Sequence, residues 1–216
     1  MYFFYNFKIH ALQGLQAMVK NETACFEYLR NKIRSSIAIN DPDLETIVAR
    51  FRYRKIAKDD MLLREGRQCD FWGFVHTGLL RVYTHTDTGE EYTNGFARED
   101  SFVTESSSFF SQVPSLENFF ALEDTEIVYI DHPKLQKLYL DLPDFNKFAR
   151  ILYESRLAEI KKRIMHRIHF DAQTRYLYFI KNHPELARRV PLKYIASYLS
   201  VTDSTLSRIR RKIAHA

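Results

Sequence analysis

The chain has few of the residues that build metal clusters and disulfide frameworks. Its 216 residues include only two cysteines, Cys25 and Cys69. Two thiols cannot form a metal cluster or a disulfide framework. They indicate a reducing compartment or indifference to redox conditions, and we expect each to be a small buried apolar side chain.

Membrane and export signals are also absent from the sequence. No apolar run approaches the roughly 18 residues that a membrane-spanning helix needs. Residues 1–7 are aromatic but lack the basic segment and cleavage site of a signal peptide. We therefore expect a cytoplasmic protein with no membrane partner. Residues 1–22 are predicted to be an N-terminal extension: either translation begins at Met18, or residues 1–17 pack only through dimer or crystal contacts.

Motifs for catalysis are missing as well. The sequence contains no Gly-rich phosphate loop, no nucleophile elbow and no paired carboxylates. A cupin-like metalloenzyme would need clustered histidines with an acid, whereas His76 and His85 are far apart. His166 and His169 are three apart on a predicted helix and could share a metal, but such pairs more often lie on a solvated or packing face. We predict no enzymatic activity, no catalytic residues and no metal.

Positive charge is concentrated at one end of the chain. The net charge is +5, but residues 150–216 carry 15 Lys and Arg against 5 Asp and Glu, a balance of +10. Residues 1–149 carry 17 against 22, a balance of −5. A basic end on an acidic body indicates a polyanionic partner for that end alone, and nucleic acid is the partner we expect.

Residues 190–216 contain two apolar stripes at helical spacing on either side of a short turn. The stripes are Ile195 and Leu199, then Leu206, Ile209 and Ile213. Ser200 to Thr202 supply the turn, with Val201 as an apolar plug and Thr202 as the N-cap of the second helix. Ala196 is small where two steeply crossing helices approach. The pattern predicts a helix-turn-helix, whose second helix lies in the major groove of double-stranded DNA. The alternative is an ordinary helical hairpin with a solvated basic face.

The outward face of the second helix suits contacts with DNA. The residues predicted to contact bases are Asp203, Ser204, Ser207 and Arg208. The residues predicted to contact phosphates are Lys193, Thr202, Arg211 and Lys212. Short polar side chains near the helix start can reach base edges, and an arginine one turn later can fork onto guanine. Cations at the helix end suit phosphates and also favour the helix dipole.

The rest of the chain predicts helices, then short strands, then a long helix. Residues 23–40 and 41–51 have helical spacing, with the second helix starting at Asp41-Pro42-Asp43. Short alternating segments at 53–66, 71–78, 79–84 and 126–131 indicate a small antiparallel barrel or jelly roll. The predicted fold class is α+β. A final long helix is predicted at 144–168, capped by Asp144.

That long helix is predicted to pair with its copy in a second chain. Its apolar positions are Phe145, Phe148, Leu152, Leu157, Ile160, Ile164 and Ile168. A helix of about 25 residues is ~37 Å long, which exceeds what one small barrel can cover. We therefore expect a homodimer, as is common for helix-turn-helix proteins that read two half-sites. The alternative is a helix buried within its own chain.

The order of these elements resembles the Crp/Fnr family of bacterial transcription regulators. The most specific markers are residues 195–209, IASYLSVTDSTLSRI, and the turns at Gly66 and Gly78. The resemblance implies a cyclic-nucleotide-binding-like β-roll with a helical cap (23–143), a dimerisation helix (144–168) and a DNA-binding domain (169–216). It also implies promoter binding that recruits or blocks RNA polymerase. By position, Asp203, Ser204 and Arg208 match the family's base-reading sites.

The sequence departs from the cyclic-AMP-binding members of that family. Their Gly-Glu stretch corresponds to Thr104-Glu105, and Ser115-Leu116 stands where an Arg-Ser or Arg-Thr pair grips the phosphate. No arginine lies between Arg98 and Arg150, so the bidentate phosphate clamp is missing, and cyclic AMP binding is not expected. We also expect repulsion of a phosphate by four acids: Glu105, Glu117, Glu123 and Asp124.

What remains of the sensor is a region of hydroxyl and aromatic side chains. The predicted pocket residues are Thr104, Glu105, Ser106, Ser107, Phe109, Ser115 and Leu116. Two interpretations stay open: a vestigial pocket filled by phenylalanines, or a site for an apolar or uncharged effector. A further alternative is a jelly-roll small-molecule-binding module whose basic C-terminus is not a specific DNA reader. We expect the β-hairpin wing of winged helix-turn-helix domains to be reduced or absent.

Overall fold

The computed structural model describes residues 21–214. The predictions about Met18 and residues 1–17 lie outside the described residues. The helices are 21–36 (α1), Asp41–Val48 (α2), Ser106–Ser111 (α3), His132–Asp141 (α4), Pro143–His169 (α5), Ala172–Asn182 (α6), Pro184–Arg189 (α7), Leu192–Tyr198 (α8) and Asp203–Ala214 (α9). The strands are Arg52–Ile56 (β1), Met61–Leu63 (β2), Trp72–Thr77 (β3), Leu79–His85 (β4), Glu91–Arg98 (β5), Phe102–Val103 (β6), Asn118–Ala121 (β7) and Thr125–Ile130 (β8).

The strands form two four-stranded antiparallel sheets, in the orders β1-β8-β3-β6 and β2-β7-β4-β5. This is the predicted α+β class with a jelly-roll-like β-roll between helices. Both faces of β8 are buried in the hydrophobic core of the roll. The core also contains an aromatic group around Trp72, whose ring stacks on Phe102 with 4.3 Å between ring centroids. Cys25 and Cys69 are both buried and unbridged, as predicted.

Two glycine turns were expected to shape the roll, and both have left-handed backbones. Gly66 has φ +79° and Gly78 has φ +97°. At Gly78 a Cβ atom would lie 2.4 Å from Thr125 Oγ1 and 2.5 Å from the Asp124 carbonyl oxygen. The turn between β3 and β4 therefore needs glycine for both its dihedral angle and its space.

Some predicted boundaries were wrong. Helix α2 is capped by Asn40, whose side chain accepts a hydrogen bond from the Asp43 N–H at 2.8 Å. It ends at Val48 rather than at 51, because the chain then turns into β1. Helix α5 starts at Pro143 and its N-cap is Leu142, so Asp144 is a first-turn residue and not the cap. Proline fits the first helical position because its missing N–H has no partner there anyway.

A second hydrophobic core lies among the four C-terminal helices. It buries Ile195, Ala196, Leu199 and Leu206 together with Phe179. Leu79, the first residue of β4, is fully buried in this same cluster. The C-terminal helices therefore pack on the β-roll itself. Between residues 131 and 214, which the structure describes throughout, no strand forms.

Candidate functional site

The turn between α8 and α9 has the hydrogen bonds of a Schellman motif. The Val201 N–H donates to the Ala196 carbonyl at 3.0 Å, and the Ser200 N–H donates to the Ser197 carbonyl at 3.0 Å. Ser200 adopts φ +56°, the left-handed conformation that this motif requires. Ala196 is fully buried at the helix crossing. The predicted turn is therefore confirmed in position, and its left-handed Ser200 is a feature that the sequence did not predict.

Helix α9 begins with the predicted threonine cap. The Thr205 N–H donates to Thr202 Oγ1 at 3.2 Å, which satisfies one of the free amides of the first turn. Leu206 is buried, and Ile209 and Ile213 are half-buried against α8 and α6. The sequence period therefore turns the apolar stripe inward and leaves the polar face of α9 in solvent.

The predicted DNA-contacting residues lie on accessible surface. The four predicted base contacts, Asp203, Ser204, Ser207 and Arg208, are all exposed on α9. The predicted phosphate contacts Arg211 and Lys212 are exposed on the same helix. Lys193 is exposed on α8, where its ammonium lies 4.8 Å from the centre of the Tyr194 ring. Thr202 is exposed, but its hydroxyl is already used as the α9 cap.

The helix-turn-helix packs on the edge strand of the second sheet through α8. The Thr93 N–H of β5 donates to Ser197 Oγ at 2.8 Å, and the hydroxyls of Tyr92 and Ser200 lie 2.8 Å apart. The guanidinium of Arg81 in β4 lies 3.8 Å from the centre of the Tyr194 ring. Strand β5 was not predicted from the sequence, so this contact surface was not predicted either. Helix α9 contacts α8 and α6, and its polar residues stay exposed.

An arginine at the end of α7 also joins the C-terminal helices to the β-roll. Arg189 donates to Glu99 at 2.8 and 2.9 Å and to Glu123 at 2.9 and 2.6 Å. It also donates to the Gly78 carbonyl at 3.1 Å. Burial alone would raise the pKa of the Glu99 carboxyl, but the Arg189 guanidinium lowers it below its usual value. The two carboxylates in turn raise the pKa of Arg189. This cluster could not be predicted from the sequence, because Glu123 and Glu99 lie 66 and 90 residues away from Arg189 in the chain.

In the predicted sensor pocket, the protein's own backbone satisfies the polar atoms. Glu105 caps α3 and accepts hydrogen bonds from the N–H groups of Ser107 and Ser108 at 3.1 and 2.6 Å. Thr104 Oγ1 donates to the Phe71 carbonyl at 2.8 Å. Ser115 Oγ is buried and donates to the Glu117 carbonyl at 2.8 Å. These groups hold the loop in shape and have little capacity left for a ligand.

The remaining predicted pocket residues do not converge on one space. Phe109 is fully buried in the core, while Ser106, Ser107 and Leu116 are exposed. Leu116 has 70% of its surface accessible. None of the seven predicted residues lines either of the two cavities that flank the long helix.

The four acids expected to repel a phosphate are not gathered in one place. Glu123 is paired with Arg189, and Asp124 accepts a hydrogen bond from the Lys58 N–H at 2.8 Å. Glu117 faces the interior, where Asn94 Nδ2 donates to it at 2.7 Å. Burial raises the pKa of the Glu117 carboxyl, and the charges of Arg156 and Arg163 on α5 oppose that rise.

Two cavities flank the long helix. One, of about 420 Å³, lies between β5, the C-terminal half of α5 and the helices α6 to α8. The other, of about 550 Å³, lies between α3, α4 and the N-terminal half of α5, with Phe110, Tyr139 and Tyr153 in its wall. Neither was predicted from the sequence, because both depend on how the C-terminal helices and α5 pack.

The structure offers no support for the cupin-like alternative. His85 Nδ1 lies 2.8 Å from a Glu65 carboxylate oxygen, and the His76 ring packs against Tyr28. His166 packs edge-on against Tyr178, with centroids 4.2 Å apart. Among the described residues, no three His, Cys, Asp or Glu side chains come together as a metal site. Nor is any helix in residues 21–214 long and apolar enough to cross a membrane.

Comparisons with known proteins agree with this architecture. Residues 53–141 match the family model of the cyclic nucleotide-binding domain. The fold is similar to that of CLP from Xanthomonas campestris, described as a c-di-GMP responsive global regulator, with 17% identity over 82% of this chain and 92% of that one and a TM-score of 0.66. It is also similar to FixK2 from Bradyrhizobium japonicum, with 18% identity over 76% and 85% and a TM-score of 0.64.

A third similar structure is a protein of the Crp/Fnr family from Eubacterium rectale, with 16% identity over 82% of this chain and 84% of that one and a TM-score of 0.62. No curated protein sequence matches the chain. The family resemblance inferred from the helix-turn-helix and the glycine turns is confirmed at the level of the fold. Residues 53–141 match the model of the cyclic nucleotide-binding domain family, and the fold of the chain as a whole is similar to that of Crp/Fnr-type regulators.

Proposed function

We propose that this protein is a sequence-specific DNA-binding transcription regulator that acts as a homodimer and has no catalytic activity. The observation that carries the proposal is the pair α8–α9: a Schellman turn, a buried apolar stripe, and a second helix whose polar face is open to solvent. A solvated helical hairpin would not need the close helix–helix packing that fully buried Ala196 indicates.

In this proposal α9 enters the major groove. Asp203, Ser204 and Ser207 contact base edges near its start, and Arg208 forks onto a guanine one turn later. The phosphate contacts are Lys193, Thr202, Arg211 and Lys212. Thr202 has the weakest support, because its hydroxyl already caps the helix. The bound dimer would then recruit or block RNA polymerase at a promoter.

Dimerisation would use the second half of α5. Leu157 and Ile168 are 68% and 66% exposed, and Ile160 and Ile164 lie between them on the same stripe. Apolar side chains at this spacing are favoured at a helix–helix contact. The proposed division into a sensor (23–143), a dimerisation helix (144–168) and a DNA-binding domain (169–216) follows from this role of α5.

Within the roll, we propose that the family's phosphate site is vestigial. Glu105 and Ser115 are held by internal hydrogen bonds, and Phe109 fills the core. Cyclic AMP is therefore not expected to bind there. An isothermal titration of the protein with cyclic AMP should give no heat of binding.

The central test is selection of bound DNA from a random duplex library, at two salt concentrations and without added ligand. We expect an enriched inverted repeat with half-sites about one helical turn, ~34 Å, apart. Bulk binding that falls with salt but enriches no sequence would contradict specific recognition.

Two variants separate the proposed roles within α9. Arg208→Ala should relax the selected sequence at one position and cost roughly 1–3 kcal/mol on the selected site. Arg211→Ala should weaken binding to all DNA sequences alike. It should also reduce the slope of the logarithm of the binding constant against the logarithm of the salt concentration by about one. Equal effects of both variants on selected and random DNA would contradict the role given to Arg208.

A further inference from the structure

Helix α8 is held on strand β5 by a row of hydrogen bonds. The Thr93 N–H donates to Ser197 Oγ at 2.8 Å, and Ser197 Oγ donates to the Glu91 carbonyl at 3.3 Å. Further along, the Tyr92 hydroxyl lies 2.8 Å from Ser200 Oγ, at the left-handed residue of the turn. Strand β5 therefore contacts both the first helix of the helix-turn-helix and the turn itself.

Arg81 in the neighbouring strand β4 completes this contact. The residue is only 2% exposed, and its guanidinium lies 4.4 Å from the centre of the Tyr83 ring and 3.8 Å from the centre of the Tyr194 ring. Tyr83 belongs to the roll, whereas Tyr194 belongs to α8. Arg81 Nε also donates to Thr93 Oγ1 at 3.0 Å, and its Nη1 pairs with Glu91. One buried cation thus joins β4, β5 and α8.

The ring that α8 supplies matters most to this arrangement. Burial of a guanidinium is unfavourable unless ionic, hydrogen-bonding and ring contacts replace its water. Contacts between a cation and a ring are strongest where the cation is desolvated. Tyr194 supplies the closer of the two rings over Arg81. The docked position of α8 is therefore favoured over a position in which Arg81 loses that ring.

The orientation of the C-terminal helices depends on contacts of this kind. The chain passes from α5 to α6 through Phe170 and Asp171 alone. The helices that follow such a short connection can rotate about it unless noncovalent contacts hold them. Helix α9 packs on α8 and α6, so a contact that fixes α8 on the roll also fixes α9. In a dimer, the separation of the two copies of α9 then follows from the position of each α8 on its own roll.

We propose that Arg81 is a positioning residue that fixes α9 relative to the roll and thereby sets the spacing between the two DNA half-sites. The fixing of α9 is a property of the single chain, whereas its consequence for spacing rests on the proposed function. One base pair of spacing moves a half-site by about 3.4 Å and rotates it by about 35° around the DNA axis. A firmly docked pair of helices matches one spacing, because it is already organised for that geometry, and a loosely held pair tolerates several.

The first test measures the position of α9 without DNA. Spin labels are attached at Lys58→Cys, in the turn after β1, and at Arg210→Cys on α9, both of which are exposed. Cys25 and Cys69 are buried and should not take the label. Labelled protein is mixed with excess unlabelled protein, so that only distances within one chain are recorded. We expect one narrow distance distribution in the parent and a clearly broader one with Arg81→Met. An equally narrow distribution in both would overturn the proposal, whether or not the protein binds DNA.

The second test uses the DNA sequence that the protein selects. Duplexes carry the inverted repeat with its spacer lengthened or shortened by one and two base pairs, and a further duplex carries a single half-site. A change of one base pair should weaken binding by the parent by roughly 10- to 100-fold, and Arg81→Met should reduce this loss to about threefold or less. Binding to the single half-site should stay unchanged, because Arg81 is buried in the roll and does not belong to α9.

Arg54→Met is the matched control for both tests. Arg54 also lies over a tyrosine ring, 4.2 Å from the centre of Tyr129, and pairs with Asp70, but both partners belong to the roll. This variant should keep the narrow distribution and the spacing preference of the parent. If Arg81→Met fails to fold, Tyr194→Leu removes the same ring contact from the α8 side and leaves the strand partners of Arg81 in place.

The outcomes separate this proposal from the proposed function. Selection of no inverted repeat by the parent would contradict the proposed function, and the distance distributions would still decide whether Arg81 positions α9. Equal broadening by Arg54→Met would refute the positioning role, since it would indicate a general loosening of the roll. A spacing preference that survives in Arg81→Met, or an equal loss of affinity for the single half-site and the full repeat, would refute the consequence for DNA.

Discussion

Gly78 shows how one residue can fix both a turn and a contact between domains. Its φ of +97° lets β3 pass directly into β4. Its N–H donates to Glu99 Oε1 at 2.9 Å, and its carbonyl accepts from Arg189 at 3.1 Å. The backbone of this turn therefore forms part of the ionic cluster that holds α7 on the roll.

Replacing Gly78 with alanine should be strongly destabilising. The new Cβ would lie 2.4 Å from Thr125 Oγ1 and 2.5 Å from a backbone oxygen, in a conformation that alanine disfavours. We expect Gly78→Ala to lower the free energy of unfolding in urea by about 2–4 kcal/mol. Gly89→Ala is the control: Gly89 has φ +82° but nothing within 4 Å of the added atom, so about 1 kcal/mol is expected. Similar losses in the two variants would show that the clash at Gly78 is relieved at little cost.

His183 should make stability depend on pH. Burial lowers the pKa of its imidazole, Arg98 and Lys162 lower it further, and Glu159 partly opposes them. The folded-state pKa is then below the unfolded value of about 6.5, so the unfolded chain takes up the proton first. The unfolding free energy should fall as pH drops from this value through the lower folded pKa.

His183→Gln should remove that part of the pH dependence. Urea unfolding of parent and variant at about pH 7.5 and about pH 5.5 measures it. We expect the parent to lose more stability than the variant between these two conditions. An identical loss in both proteins would mean that His183 takes up its proton equally in the folded and unfolded states.

At the scale of elements, α5 is one helix in two environments. Its first half buries Phe145, Phe148 and Ala149 against the roll. Its second half carries Leu157 and Ile168 largely exposed. The shift of the apolar stripe between Leu152 and Leu157, visible in the sequence, marks the point after which α5 no longer contributes to the core of the roll.

Charged residues on the exposed stripe should abolish dimerisation without unfolding the chain. At each apolar position of the stripe, burying the side chains of both copies contributes about 3 kcal/mol to the free energy of association. We expect the parent to sediment as a dimer at micromolar concentration and the double variant Leu157→Lys, Ile168→Lys to sediment as a monomer. Glu154→Lys, an equally exposed change outside the stripe, should remain dimeric. A monomeric parent would contradict the pairing of α5.

The sequence predicted elements whose buried positions are large and periodic. Leu206, Ile209 and Ile213 were enough to place α9 and its open face. Strand β5 was missed because its buried positions are Thr93, Gly95 and Ala97, which are too small to give an apolar signal. The burial of these positions alternates along the strand as expected, but side-chain size hides the pattern in the sequence.

The hydroxyl-rich pocket illustrates a different limit of sequence reasoning. Ser106, Ser107 and Glu105 suggested ligand-binding groups, yet Glu105 caps the short helix α3 and its carboxylate accepts hydrogen bonds from the N–H groups of Ser107 and Ser108. The short polar side chains that cap helices are of the same residue types as those that bind ligands. Only the three-dimensional arrangement reveals which backbone amides they serve.

At the scale of the molecule, the two hydrophobic cores meet at a largely polar junction. Leu79, Phe96 and Leu122 of the roll supply its apolar part, and the polar part consists of Arg189 with its two carboxylates and the α8–β5 hydrogen bonds. Polar junctions between domains are easier to separate than apolar ones, because water can replace each hydrogen bond. The position of α9 relative to the roll therefore depends on a few identifiable contacts.

Removing the Arg189 side chain should uncouple the two cores. The Arg189 side chain is 23% exposed. Its removal leaves the carboxylates of Glu99 and Glu123 without the cation that pairs with them. We expect Arg189→Met to lower stability by about 2–3 kcal/mol, less than for a fully buried pair because water reaches the site. Calorimetry should show one cooperative transition in the parent and two in the variant, with the C-terminal helices melting first.

The adjacent arginine provides the matched control for this experiment. Arg188 is exposed and pairs only with Glu185 on its own helix, so Arg188→Met should keep a single transition. Limited proteolysis should then cut residues 170–192 faster in Arg189→Met than in Arg188→Met. If both variants melt in one transition with similar midpoints, Leu79 and the α8–β5 contacts must couple the domains without the ionic cluster.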